Sequence, residues 1–187
     1  MAAYQAMPVA ITVEGANILT RSLITFAQGA LRSHPYLYKE IQACQDSNEE
    51  RGLEAFDKAF CGHVAFSLSS MLGAFFHNVT LGYFGNVPER AEGLGPIYRQ
   101  IWRASRNFAL VADLTVAMLG GGLKVKQKLT GRLADALSEL YFLCCLVKRF
   151  EDDGRPAADR PIVALAAANG LARFEEALRG TIENFPN

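Results

Sequence analysis

From Cys61 through Pro88 the chain carries no Asp, Glu, Lys or Arg, and this uncharged run narrows what the surrounding segment can fold into. It is long enough to be tested as a membrane span. Ser67, Ser69, Ser70, His77, Asn78 and Thr80 dilute its apolarity, so a buried core helix is the better expectation. Peripheral membrane contact through an amphipathic face is the second option. Beginning upstream and running into it, Leu53, Phe56, Phe60, Val64 and Leu68 recur at helical spacing and predict one apolar face. The polar run Gln45-Asp46-Ser47-Asn48 suits an N-terminal cap, and Gly82, Gly85 and Pro88 supply the stop. One helix is therefore expected from about Glu49 to Leu81.

The rest of the chain punctuates in the same way. A short β-branched stretch, Val9 to Val13, ends at Glu14-Gly15. A helix from about Ala16 to Ser33 follows, with a stripe of Leu19, Leu23, Phe26, Ala27, Ala30 and Leu31. Pro35 stops it. Tyr36 to Cys44 reads as a shorter helix. A helix from about Pro96 to Leu119 carries Arg99, Arg103 and Arg106 on one side, and Gly120-Gly121-Gly122 closes it. Further helices are expected over about Thr130 to Asp152 and from Asp159, a possible cap with Pro161 at the first position, to about Asn184. The prediction is an all-α fold of antiparallel helical bundles joined by short loops.

Composition excludes several functions. Lys plus Arg and Asp plus Glu number 19 each, which leaves no electrostatic footprint for nucleic acid. Cys44, Cys61, Cys144 and Cys145 form no CxxC pattern, and the vicinal pair cannot readily close a normal disulfide. Cys144 and Cys145 read as packing of small side chains, and a reduced intracellular setting is the default. His34, His63 and His77 are scattered, without a helix-spaced Cys, Asp or Glu partner for a metal. The absence of Glu-x-x-His pairs argues against a four-helix metal carboxylate protein. Lys124, Lys126, Lys128 and Arg132 beside three glycines could meet ligand phosphates or anionic lipid, but a solvated turn is the better reading. Arg132, Asp135 and Glu139 read as a structural salt-bridge set, and Trp102 as a packing anchor.

The chemistry concentrates in Val13-Glu14-Gly15-Ala16-Asn17-Ile18-Leu19-Thr20-Arg21. Ile11 and Val13 would desolvate the Glu14 carboxylate and lift its pKa toward that of a useful general base. Gly15 lets the backbone approach another molecule closely. By spacing alone, an isolated Glu-Gly before a helix is more often an ordinary turn. The block nevertheless resembles the acyl-CoA dehydrogenase signature Glu-Gly-Thr-x-x-Ile-x-Arg, with Ala16 in place of Thr and Leu19 in place of Ile. MPVAITVEGANILTRSL, FAQGALRSHPY, AFDKAFCGHVAFSLS, LGGGLKVKQKLTGRLADALSELYFL, LVKRFEDDG and ENFP are similar to the bacterial long-chain branch of that family, from about Tyr4 to Asn187.

The resemblance implies an FAD-dependent enzyme of fatty-acid β-oxidation that converts fatty acyl-CoA to trans-2-enoyl-CoA. It makes Glu14 the base for the α-proton while the β-hydride passes to flavin N5. Gly15 lies beside thioester and flavin, and Ala16 stands where a Thr usually contacts FAD. It implies that residues 1–45 end the dehydrogenase C-terminal helical domain and residues 46–187 form part of a helical extension. The Gln-x-x-Gly-Gly-x-Gly flavin loop and a β-rich middle domain do not occur in the sequence. A fragment that is inactive alone is expected, with FAD held mainly by other parts of the parent enzyme. Implied partners are fatty acyl-CoA, the flavin-domain remainder, an electron acceptor and a second copy. The expected location is the cytoplasm, with possible association with the inner membrane. The competing reading is a non-catalytic helical assembly or membrane-docking module.

Overall fold

The structure, a computed structural model, describes residues 20–21, 29–89, 91 and 93–186. The described residues form six helices and no strand: α1 (Ala30–Ser33), α2 (Leu37–Cys44), α3 (Glu49–Val79), α4 (Gly95–Leu119), α5 (Gln127–Asp152) and α6 (Arg160–Glu183). Short 3-10 turns cover Gly120–Lys124 and Ala157–Asp159. The all-α expectation holds. The β-branched stretch Val9 to Val13, and most of the helix expected after it, lie outside the described residues.

Local chemistry sets the helix ends. Asn48 caps α3: its side-chain oxygen accepts the Arg51 N–H at 3.0 Å, and Glu49 and Glu50 in the first turn complement the helix dipole. Gly120 closes α4 at φ 48° and ψ −128°, a conformation that a side chain would strain. Helix α5 begins at Gln127, ahead of the expected Thr130. Asp159 sits at the expected cap position of α6 but makes no side-chain capping bond.

The core lies where α4, α5 and α6 meet. Along α5, Leu129, Leu133, Ala136, Leu140, Leu143, Val147 and Phe150 are buried. Their alternating steps of four and three keep one seam facing a partner helix. That partner is α6, which buries Val163, Ala167, Gly170, Phe174, Leu178 and Thr181. The pair is antiparallel, since Arg132 reaches the Gly180 carbonyl at 2.9 Å and Glu139 meets Arg173 at 2.6 Å. Ala104 of α4 and Leu123 close the cluster. Arg132, Asp135 and Glu139 thus serve structure, but each bonds outward to a different partner instead of to one another. Cys144 and Cys145 are exposed, which corrects their reading as packing residues.

Helix α3 departs further from expectation. It is not a core helix: Leu53, Phe60, Val64, Leu68, Leu72 and Phe75 are each at least half exposed. Its buried positions are Gly52, Ala59, Ser70, Ala74 and His77. The small-residue side is the one that docks, because helix axes approach closely only where side chains are short. A Cβ on Gly52 would lie 2.8 Å from the Ala43 carbonyl oxygen, and one on Gly62 would lie 2.5 Å from the Tyr36 ring. Helix α2 packs there, while α4 covers a second strip. The α3–α4 seam is antiparallel and largely polar, with Asn78 and Asn107 exchanging amide bonds at 2.7 and 3.0 Å. Trp102 donates its indole N–H to His77 Nε2 at 3.0 Å, and the Arg106 guanidinium lies over the Trp102 ring. Trp102 is thus an anchor as expected.

Candidate functional site

The residues with the clearest chemical expectation, Glu14, Gly15 and Ala16, lie outside the described residues. Arg21, which ends the same block, is described. Its Nε lies 3.1 Å from Asp135 Oδ1 on α5, and its guanidinium rests on Gly131, where a Cβ would approach Nη2 to 3.1 Å. Burial lifts the Asp135 carboxyl above its ordinary pKa; Arg21 opposes that rise and nearby Glu139 adds to it. Glycine at 131 thus leaves room for the arginine to lie flat against α5, one turn before the carboxylate that receives it. This seat ties the end of the Glu14 block to the main helical core.

A second constellation joins four elements. His34, between α1 and α2, places Nε2 3.2 Å from Asp113 Oδ1 on α4. His63 on α3 places Nε2 3.0 Å from the same oxygen and Nδ1 2.8 Å from Glu40 Oε1 on α2. Ser67, one helical turn beyond His63, donates to Asp113 Oδ2. The side chains of Asp113, His34, His63 and Glu40 are only 4, 12, 14 and 14% exposed.

The hydrogen bonds determine the protonation pattern. His34 Nδ1 accepts the backbone N–H groups of Tyr36 and Leu37 at 3.3 and 3.2 Å, so its single proton sits on Nε2 and is donated to Asp113. Burial, then the neighbouring His63, hold His34 below its ordinary pKa, against the opposing pull of Asp113 and Glu40. His63 has a carboxylate at each ring nitrogen. Burial disfavours its charge, but the bonds to Asp113 and Glu40 outweigh burial and raise its pKa. Burial would raise the Asp113 carboxyl, yet Ser67 and His63 hold it below the usual value. Near pH 6.5 the cluster therefore favours an imidazolium at His63, between two carboxylates, beside a neutral imidazole at His34.

His34, His63 and Asp113 offer atoms within 4.8 Å of one another, a spacing a metal ion could bridge. The backbone donors at His34 Nδ1 oppose that use, because they fix the proton on the very nitrogen that would have to ligate. Sequence spacing did not reveal this group: the three histidines looked scattered, and Asp113 is remote in sequence from both of its imidazole partners. The legible hint was a polar strip, His63 and Ser67 one turn apart, in the uncharged part of α3. Lys124, Lys126 and Lys128 are exposed, as a solvated turn requires.

Together these features define a helical domain that seats the end of a Glu-Gly block on α5 and locks its own first helices through buried imidazoles. The chain belongs to the family described as acyl-CoA dehydrogenase, C-terminal, bacterial type, whose profile matches residues 31–187. No solved structure matches it.

Proposed function

We propose that this chain is the C-terminal helical part of an FAD-dependent acyl-CoA dehydrogenase that converts fatty acyl-CoA to trans-2-enoyl-CoA in β-oxidation. The observation that carries this reading is the family match over residues 31–187, which begins ten residues beyond the end of the Glu14–Arg21 block. In this reading the Glu14 carboxylate takes the α-proton of the thioester, whose acidity the adjacent carbonyl provides. Gly15 leaves room for thioester and flavin to approach the backbone, and Ala16 brings no hydroxyl to the flavin. When bound, FAD supplies the acceptor for the β-hydride. The Arg21–Asp135 contact supports the assignment, since it anchors the segment that bears the base. Gly15 and Ala16 are the residues of this chain proposed to lie against FAD, with most of the flavin site formed elsewhere in the enzyme.

The proposed partners are fatty acyl-CoA, the flavin-binding remainder, an electron acceptor and a second copy of the enzyme, in the cytoplasm or at the inner membrane. The exposed apolar face of α3 specifically favours a second role, as an assembly or membrane-docking surface. By length and composition α3 is the one described helix that could cross a membrane. In the complete enzyme, Glu14→Gln should lower turnover by at least about 100-fold, the usual scale for losing a general base, with the flavin absorbance of the purified protein unchanged. Retained turnover would place the base on another residue.

A further inference from the structure

We propose that His34, Glu40, His63 and Asp113 form a proton-operated latch that holds the segment from His34 to Cys44 on α3 and α4 in one protonation state only. The closed state carries one imidazole proton beyond neutrality, on His63. Loss of that proton or addition of a second opens it.

The geometry makes both changes disruptive. In the closed state every facing group is matched: Glu40 from α2 and Asp113 from α4 accept from the two N–H groups of His63 on α3, while Asp113 also accepts from His34 and Ser67. Among the described residues the other titratable side chains beside this group are Tyr36, whose ring stacks on His63 with centroids 6.0 Å apart, and Lys39, whose Nζ lies over the Tyr36 ring. If His63 loses its proton, either Glu40 loses its imidazole donor or Asp113 is left with His34 and Ser67 alone, and in both cases a ring lone pair faces a carboxylate oxygen while two like charges flank a buried ring. If His34 gains a proton, Nδ1–H points at the N–H groups of Tyr36 and Leu37. The start of α2 then loses its acceptor, and two imidazolium rings lie with centroids 4.6 Å apart.

The two histidines act on opposite sides of the same pH. His63 holds its proton more tightly in the fold than in the unfolded chain. Its stabilisation is complete below the ordinary value of 6.5 and is lost as pH rises through its raised folded value. His34 refuses, in the fold, a proton that the unfolded chain accepts. Its contribution is complete above 6.5 and is lost as pH falls toward its lowered folded value. Asp113 is held below its ordinary value of 3.8, so its contribution is steady throughout this range. The latch is tightest near pH 6.5.

Residue-resolved nitrogen NMR of the imidazoles in the 187-residue chain tests the protonation pattern. At pH 6.5, His63 should be doubly protonated and His34 neutral with its proton on Nε2. A neutral His63, or a His34 proton on Nδ1, overturns the proposal. Hydrogen exchange between pH 5 and 8.5, corrected for intrinsic rates, tests the opening. Protection of the Leu37–Cys44 amides should peak near pH 6.5 and fall severalfold towards each end, while α5 amides hold. His34→Gln should abolish the acid-side fall and His63→Gln the alkaline-side fall. Flat protection at Leu37–Cys44, or an equal loss in α5, overturns the latch; both are read on the unsubstituted chain, so a variant that fails to fold does not shield it.

Discussion

Helices α3 and α5 are both long, 31 and 26 residues, and both are rich in large apolar side chains, yet they use them in opposite ways. Helix α5 buries its leucines along a seam with α6. Helix α3 turns Phe60, Leu68, Leu72 and Phe75 outward and buries glycine, alanine, serine and histidine. Apolar composition therefore does not decide which face of a helix is covered; the fit of the neighbours does. Helix α5 meets a partner whose stripe repeats in register with its own. Helix α3 meets a short helix and a polar seam, which reward close approach and hydrogen bonding over apolar area.

Three substitutions bear on that contrast. The largest effect is expected at Phe174→Ala, which removes a ring 2% exposed at the α5–α6 seam and should cost about 3–5 kcal/mol in chemical denaturation. A loss under about 1 kcal/mol would mean that the seam is not the core. Next comes Gly52→Ala on the docking side of α3. Alanine gains about 1 kcal/mol in helix propensity, but its Cβ meets a backbone carbonyl that cannot rotate away, so a net loss of about 1–2 kcal/mol is expected. A net gain would show that α2 is free to move off α3. The smallest effect is expected at Phe75→Ser, on a side chain 69% exposed, with unfolding free energy unchanged within about 0.5 kcal/mol. A larger loss would reveal that the outer face of α3 is covered within the chain. Unchanged stability combined with loss of self-association or vesicle binding would sharpen the case for docking there.

The parts of the fold legible in the sequence are those fixed by local chemistry. Asn48, Pro35 and the Gly120 triplet mark their boundaries because caps, ring constraints and positive φ act within a few residues. The choice of buried face on α3 was not legible, since the Leu53–Leu68 stripe is a sound amphipathic signal whose partner the periodicity does not specify. The imidazole cluster was hidden for a related reason. His34, Glu40, His63 and Asp113 come from four elements, and only tertiary contact brings them together. The family was legible in the Glu14–Arg21 block and in the longer matching segments, and Thr20 and Arg21 are the residues of that block whose placement the structure describes.

Trp102, the sole tryptophan, has its indole bonded to His77 and faced by Arg106, so its environment belongs to the α3–α4 seam and the turn at Gly85 that follows α3. Its emission is a single-site optical reporter: spectral change follows the separation of those two helices and is blind to fraying elsewhere. Disagreement between that signal and the loss of total helicity on heating would reveal α3 leaving before the α5–α6 pair melts.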